Sequence, residues 1–336
     1  MARAGGGDGP LTSRWVGVEE DAHFDRPRSR TRPRTKDRPD YSGAPTAMVT
    51  GVDRGRFRCL TDDDSLVIAT KARLLGRKGA IVGDRVRLDG DVSGREGTLA
   101  RIVEVLPRRT VLRRTADDDD PYERPIVANA DQLVIVTALA DPPPRTGMID
   151  RLLVAAYDAG IDPLLCLTKA DLGTPAALVA EYAPLGVPVV VIDPRTDLGP
   201  VLAALSGRIS VLVGHSGVGK STLVNRLIPG ADRQTGGVNE VTGRGRHTST
   251  SAVALRLRGD SGWVIDTPGV RSFGLSHVTP DHIIEAFPDL AACTADCPRG
   301  CAHTAGAPGC GLDLAVTEGR LTADRVASYR RMIAHR

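Results

Sequence analysis

Apolar and polar positions alternate in five short runs between residues 47 and about 114. The runs are AMVTGVD, RFRCLT, SLVIAT, DRVRLDGDV and TLARIVEVL, and Gly and Asp residues separate them. Several short strands with turn signals and little helical periodicity predict a small closed β-barrel, of which the oligonucleotide-binding type is the commonest at this length. We therefore predict an all-β barrel over residues 44–115.

A different pattern begins after the acidic stretch at residues 117–120. The apolar segments QLVIVTAL, PLLCLTKAD, VPVVVID and RISVLVG alternate with helical segments, and KSTLVNRLI, SAVALRLRG and GWVIDTPG follow. This alternation predicts a parallel sheet with crossover helices. The predicted fold class is α/β, with a sheet domain over residues 116–276 and a mostly helical segment over residues 277–336.

The composition is that of an ordinary soluble protein. Hydrophobic residues make up 41% and charged residues 25% of the 336 positions. No apolar run reaches the length of about 18 residues that a membrane span needs. The N-terminus lacks the apolar stretch of a secretory signal. We expect a cytoplasmic monomer without membrane association.

Positive charge is concentrated in two places, although the net charge is only +3. One is the segment at residues 26–38, in which basic residues are interleaved with Pro27 and Pro33 and are followed by Pro39. This composition predicts a disordered basic tail over residues 1–43. The predicted barrel carries Arg54, Arg56, Arg58, Lys71, Arg73, Arg77 and Lys78. With few aromatic residues, such a surface would bind nucleic acid through its phosphates. A solvated tail without a partner, and a barrel that only packs, are the alternative interpretations.

A glycine-rich motif lies between the strand ISVLV and a predicted helix. Its residues are Gly214, His215, Ser216, Gly217, Val218, Gly219, Lys220, Ser221 and Thr222. In such a motif, backbone N–H groups wrap the phosphates, the lysine reaches the β- and γ-phosphates, and the serine hydroxyl binds Mg²⁺. The motif predicts a nucleoside triphosphate site in which Lys220 and Ser221 are catalytic.

The strand GWVI ends at Asp266-Thr267-Pro268-Gly269. A carboxylate at the carboxyl edge of the sheet, beside a phosphate loop, holds Mg²⁺ through water, so Asp266 is a predicted catalytic and metal-binding residue. The backbone N–H of Gly269 would contact the γ-phosphate and sense its loss.

The strand LLCL ends at Thr168-Lys169-Ala170-Asp171, which resembles the guanine-recognition motif Asn-Lys-x-Asp of GTPases. There the carboxylate accepts hydrogen bonds from the ring N–H and the exocyclic amine of guanine, and adenine lacks these two donors. Thr168, Lys169 and Asp171 are therefore predicted to bind the base. Because Thr168 replaces Asn, an amide that braces the base and the phosphate loop is missing.

The two motifs stand in reversed order, because Asp171 precedes Lys220. A sheet can be cut at a surface loop and rejoined where its ends lie close. The barrel, GHSGVGKS, GRGRHTST, DTPG and the following Cys/His cluster together resemble the circularly permuted small ribosomal subunit biogenesis GTPase RsgA (YjeQ/EngC) family, over residues 45–334. The resemblance implies a permuted P-loop GTPase that converts GTP to GDP in late maturation of the small (30S) subunit, with that subunit and its rRNA as partners.

The resemblance also assigns GRGRHTST to the first switch, where Thr248 or Thr250 would complete Mg²⁺ coordination when the γ-phosphate is present. Many GTPases place a water-orienting Gln after DTPG, and Val270 stands there in this chain. His247 is the candidate for that catalytic role. Isolated hydrolysis should be slow. The Ser-Ala that commonly closes the base pocket is replaced by Ile-Asp-Pro after VPVVV.

Most of the 6 cysteines crowd beside one histidine near the C-terminus. A reduced Cys/His cluster of this kind predicts one structural Zn²⁺, whereas Cys59 and Cys166 stand in apolar strands and are predicted to be buried. The predicted ligands are Cys297, Cys301, His303 and Cys310. Three residues separate the first two cysteines and six separate the histidine from the last cysteine, whereas the family pattern has four and five. Cys293 is therefore a rival first ligand. Reduced cysteines in a loop are the alternative.

Two other functions are compatible with these motifs. The first is an RNA-binding module that uses guanine nucleotide as a ligand with little turnover, since Val270 replaces the water-positioning Gln. The second is a P-loop enzyme that acts on small molecules or adenine nucleotides, against which Asp171 argues.

Overall fold

The barrel predicted from the alternating runs is present in the computed structural model, which describes residues 40–76, 79–114, 124–195, 197–230, 252–267, 275 and 278–334. Its strands are β1 (Thr46–Asp53), β2 (Arg56–Thr61), β3 (Leu66–Lys71), β4 (Arg85–Gly90) and β5 (Ala100–Val105). They follow the order β1-β2-β3-β5-β4, and β4 pairs back with β1 to close the barrel. The β3–β5 pair is parallel and the other pairs are antiparallel.

Alternation along the strands fills the barrel interior. On β2, Phe57 and Cys59 are buried while Arg56 and Arg58 are exposed, as the two-residue period of a strand requires. Burial raises the pKa of the Cys59 thiol to about 12. Cys59 is therefore a packing residue, as predicted.

A two-stranded ribbon follows the barrel and was not predicted. It pairs β6 (Val111–Arg114) with β7 (Arg124–Ala128) in antiparallel fashion. Pro125 lies inside the second strand, and a proline in a short run argues against a strand when only the sequence is read. The acidic stretch between the two strands lies outside the described residues. The predicted domain boundary at residue 115 falls within this ribbon and stays a prediction.

The α/β part contains a mostly parallel sheet, as predicted. Its strands are β8 (Gln132–Ala138), β9 (Asp162–Thr168), β10 (Val189–Val191), β11 (Arg208–Val213), β12 (Val253–Arg256) and β13 (Gly262–Asp266). They follow the order β10-β9-β8-β11-β13-β12, and only β12 is antiparallel to its neighbour in this set. The carboxyl ends of β8, β9, β11 and β13 therefore meet at one edge.

Helices cover both faces of this sheet. They are α1 (Thr146–Asp158), α2 (Ala176–Tyr182), α3 (Gly199–Leu205) and α4 (Lys220–Leu227). Apolar residues of α3 and α4 pack on one face, where Cys166 is also buried and burial raises its pKa to about 12. Those of α1 and α2 pack on the other face. Two-sided coverage explains why the strands are continuously apolar.

The C-terminal segment packs against α1. Its helices are α5 (Pro280–Ile284), α6 (Pro288–Ala291), α7 (Gly311–Thr317) and α8 (Ala323–Ala334). Arg331 of α8 lies 3.2 Å from the buried carboxylate of Asp150 on α1, and its guanidinium lies 5.0 Å from the ring centroid of Tyr182. Removing Arg331 would take this partner from a buried carboxylate and should destabilise the packing of α8 on α1. The mostly helical segment predicted here is confirmed.

The barrel and the α/β sheet are joined edge to edge. Gly51 of β1 pairs with Val253 of β12, so the strands of both parts form one 11-stranded sheet. The guanidinium of Arg256 on β12 also lies 2.8 Å from the carboxylate of Asp64 in the β2–β3 turn. None of the helices in the described part of the chain combines the length and hydropathy that a bilayer crossing requires.

Candidate nucleotide-binding site and metal centre

The glycine-rich motif forms a tight loop between β11 and α4, where the sequence placed it. Gly214 has a φ of 155°, and a Cβ there would lie 2.4 Å from the carbonyl oxygen of Val136. Gly219 has a φ of 91° and caps the N-terminus of α4. A side chain at either position would strain or block the turn. The loop therefore brings its backbone to the positive end of a helix, which is an anion-binding arrangement.

Lys220 and Asp266 meet at the carboxyl edge of the sheet. The Lys220 ammonium lies 3.7 Å from a carboxylate oxygen of Asp266 and donates to the carbonyl oxygen of Thr267 at 3.3 Å. The Thr267 hydroxyl donates to the carbonyl oxygen of Leu212 on β11 at 2.9 Å, which fixes the end of β13 to the start of the phosphate loop. Ser221 follows Lys220 in the first turn of α4. A hydroxyl and a carboxylate are oxygen ligands of the kind that Mg²⁺ prefers.

The guanine motif touches the phosphate loop. Thr168 is buried at the end of β9, and its hydroxyl lies 2.5 Å from the carbonyl oxygen of Val218 and 3.2 Å from that of Thr137. A Cβ on Gly219 would lie 3.7 Å from the same hydroxyl. The hydroxyl thus supplies a link to the phosphate loop that the sequence analysis assigned to the missing amide. Two motifs that are far apart in the chain are therefore in direct contact at this edge of the sheet.

Lys169 and the loop after β8 lie on the same edge. Lys169 has a φ of 55°, and its ammonium donates to the carbonyl oxygen of Asp141. A Cβ on Gly217 would lie 3.6 Å from Pro142. The loop between β8 and α1 therefore lies against both motifs through Asp141 and Pro142, and no sequence motif predicted it. The sequence feature that indicates this loop is its position directly after a parallel strand, because ligands bind at the carboxyl ends of such strands.

The segment after β10 lies beside the guanine motif. The N–H of Ala170 donates to the carbonyl oxygen of Ile192 at 3.3 Å. The Asp193 carboxylate accepts from the N–H of Arg195 at 2.7 Å, and the guanidinium of Arg226 on α4 donates to the Asp193 carbonyl oxygen at 3.4 Å. The turn that replaces the common Ser-Ala therefore lies against the guanine motif and α4. Asp171 itself is exposed just beyond β9.

Several predicted site residues lie outside the described part of the chain. They are His247, Thr248, Thr250 and Gly269, and Val270 also lies outside it. Their roles as water-positioning residue, switch ligand and γ-phosphate sensor stay predictions.

A cluster of three thiols and one imidazole forms in the C-terminal segment. The ligand atoms of Cys297, Cys301, His303 and Cys310 all lie within 4.8 Å of one another. Nδ1 of His303 lies 3.5 Å from the sulfur of Cys297 and 4.0 Å from that of Cys310. Cys293 is not in this cluster, and its sulfur lies 3.1 Å from the guanidinium of Arg320.

The donor set fits a structural zinc ion, because three thiolates and one imidazole make a closed tetrahedral site. Burial is the main cause that raises the pKa of the Cys297 thiol, to about 11. A bound divalent cation would reverse this preference, since a coordinating thiol is deprotonated. The N–H of Gly311 also donates to the sulfur of Cys297 at 3.1 Å, which favours a thiolate there.

Comparisons of sequence identify a matching family and relatives of this chain. A family model described as RsgA GTPase matches residues 105–276. The small ribosomal subunit biogenesis GTPase RsgA of Azotobacter vinelandii is 43% identical over 242 residues, which cover 69% of this chain and 69% of the relative. The protein of the same name from Pseudomonas syringae pv. tomato is 43% identical over 264 residues, covering 76% of this chain and 74% of the relative.

Solved structures share the fold. YjeQ from Thermotoga maritima superposes with a TM-score of 0.63 at 24% identity, covering 86% of this chain and 97% of that structure. YloQ, a circularly permuted GTPase, gives a TM-score of 0.63 at 22% identity, covering 89% of this chain and 96% of that structure. The predicted fold class, a permuted α/β domain behind a barrel, is confirmed.

Proposed function

The chain belongs to the RsgA GTPase family, and from this premise we propose that it acts as a ribosome-associated GTPase in late maturation of the small ribosomal subunit. The reaction converts GTP and water to GDP and phosphate in the cytoplasm. The observation that carries the proposal is the contact between Thr168 and the carbonyl oxygen of Val218. It joins a base-recognition motif to a phosphate cradle so that one nucleotide can reach both.

Each part of the site has a defined task in this reaction. Backbone N–H groups of the phosphate loop and the Lys220 ammonium would stabilise negative charge on the β- and γ-phosphates. Ser221 and Asp266 would hold Mg²⁺, which neutralises charge between those phosphates when it is bound. Asp171 would accept the two guanine donors. Water attacks in line, and no covalent intermediate is needed.

The barrel supports a partner with an exposed phosphate backbone. Arg54, Arg56, Arg58 and Arg73 are exposed and make no ion pair with any other described residue. Free guanidinium groups on an oligonucleotide-binding type of barrel favour ribosomal RNA. Arg77 and Lys78 belong to the same predicted surface and lie outside the described residues.

The strand β12 supports a link between nucleotide and RNA. It follows the candidate first switch in the chain. Its Val253 pairs with Asp266 of β13 on one side and with Gly51 of β1 in the barrel on the other. We expect GTP to favour docking on the small subunit and hydrolysis to weaken it. The protein would dock as a monomer.

Purified small subunits should raise the GTP hydrolysis rate of the isolated protein on the order of 10³-fold, the range that partner-supplied catalytic groups reach in GTPases. The reason is the Val270 position, where the water-orienting Gln of many GTPases is missing. Phosphate release is measured with 30S subunits and, as the control, with large subunits. Tight guanine nucleotide binding without any stimulation by 30S would favour the RNA-binding module with little turnover.

Replacement of Thr168 by valine should weaken GDP and GTP binding about tenfold. The reason is that the buried hydrogen bond between the two motifs contributes about 1–1.5 kcal/mol to the free energy of the assembled site. Valine keeps the volume of threonine and removes the hydroxyl that reaches Val218. Dissociation constants are measured by calorimetry. Thr168→Ser is the matched control and should retain most of the affinity. Equal affinities for the valine variant and the native chain would contradict the link between the two motifs.

A further inference from the structure

The imidazole of His303 faces two different environments. Its Nδ1 is the nitrogen near the sulfurs of Cys297 and Cys310. Its Nε2 lies on the other side of the ring, 3.3 Å from a carboxylate oxygen of Asp281. A neutral imidazole has one bare nitrogen and one N–H, so the group at Nε2 decides which nitrogen can bind a metal.

Asp281 comes from a different element than the cluster. It lies in the first turn of α5, and its side chain is 78% exposed, whereas the side chain of His303 is only 4% exposed. The capping hydroxyl of Thr279 accepts from the N–H of His282, which fixes the turn that carries Asp281. An exposed carboxylate held beside a buried imidazole stabilises the Nε2–H form of the ring.

The backbone of His303 is held independently of its ring. Its φ is 57°, in the left-handed region that non-glycine residues rarely occupy. The guanidinium of Arg330 donates to the His303 carbonyl oxygen at 2.9 Å, and both oxygens of Asp313 accept from the same guanidinium. Loss of Asp281 would therefore free the ring without releasing the backbone.

We propose that Asp281 is a positioning residue of the zinc centre: it accepts from Nε2–H of His303 and so directs Nδ1 towards the three thiols. The inference rests on the proposed zinc site of Cys297, Cys301, His303 and Cys310. Carboxylates behind ligating histidines commonly fix the tautomer and the ring orientation, and their loss typically costs about 10–100-fold in metal affinity.

The test measures zinc transfer from the full-length, zinc-loaded protein to an excess of the chromogenic chelator 4-(2-pyridylazo)resorcinol. Asp281→Ala should speed transfer about 10–100-fold. Asp281→Asn should give a smaller change, because its amide oxygen still accepts from Nε2–H. Glu285→Ala is the matched control, since Glu285 is an exposed acid next to the same helix. It should release zinc at the native rate.

A second readout separates ring orientation from general loosening. In the Co²⁺-substituted protein, the visible d–d bands report the ligand geometry, and they should change in Asp281→Ala but not in Glu285→Ala. Native transfer rates and native spectra for Asp281→Ala would overturn the proposal, and so would equal acceleration by both alanine variants. A native chain purified without stoichiometric zinc would instead refute the zinc site itself.

Discussion

Replacement of Lys220 by alanine should lower kcat for GTP hydrolysis by about 10²–10³-fold, the usual effect of removing one preorganised charge-stabilising group. The ammonium lies at the start of α4, 3.7 Å from the Asp266 carboxylate and within hydrogen-bond distance of the Thr267 carbonyl oxygen. It is thus held at the edge where the transferring phosphate would sit. Single-turnover phosphate release with saturating GTP measures the effect on chemistry alone.

A basic residue outside the site provides the control for Lys220→Ala. The Lys71 ammonium donates to the carbonyl oxygen of Gly76 in the barrel, at 2.8 Å. Lys71→Ala should leave the basal hydrolysis rate unchanged. Because Lys220 also neighbours the buried Asp266, thermal unfolding of both variants must be compared. A native kcat in a folded Lys220→Ala protein would show that the phosphate loop does not perform the reaction.

The periodicity of the sequence was sufficient to predict most of the elements. The run RFRCLT becomes β2 with its arginines outside and its apolar residues inside, because a strand on a closed barrel has one solvent face. The run QLVIVTA becomes β8, which is buried along its whole length because helices cover both faces of the sheet. By contrast, the ribbon of β6 and β7 was not predicted, since a proline such as Pro125 in a short apolar run argues against a strand.

Contacts within the site depend on tertiary structure and were only partly predictable. The motifs predicted that Thr168 and Val218 belong to one site, since each lies at the carboxyl end of a parallel strand. They did not predict that the hydroxyl of Thr168 reaches the carbonyl oxygen of Val218. Similarly, spacing left Cys293 and Cys297 as rival ligands. Packing distinguishes them, because Cys293 lies against Arg320 whereas Cys297 lies against His303.

The reversed order of motifs is compatible with one site because position in a sheet, and not order in the chain, decides which strand ends are neighbours. β8 lies between β9 and β11, and β13 lies beside β11, so the guanine motif, the phosphate loop and Asp266 end at one edge. In this chain β12 also pairs with β1 of the barrel, and α5 follows the Asp266 motif. The order of the chain thus connects the nucleotide site to both flanking parts.

Replacement of Asp171 by asparagine should weaken GTP binding about 100-fold, because the variant loses charge-assisted hydrogen bonds that contribute about 2–3 kcal/mol. Asparagine presents one acceptor and one donor group where aspartate presents two acceptors. Xanthine carries an oxygen in place of the exocyclic amine of guanine. This oxygen can accept from the amide N–H of asparagine, so xanthine nucleotides match the acceptor and the donor of the variant side chain. Affinity for xanthosine triphosphate should rise as affinity for GTP falls.

Competition of GTP, xanthosine triphosphate and ATP against a labelled guanine nucleotide measures this change. Asp162→Asn is the matched control, because Asp162 begins the same strand at the opposite edge of the sheet, where it lies 2.9 Å from the guanidinium of Arg208. That variant should keep the native order of preference. If Asp171→Asn also kept it, the exposed carboxylate beyond β9 would not contact the base, and the guanine assignment would have to rest on another residue at this edge.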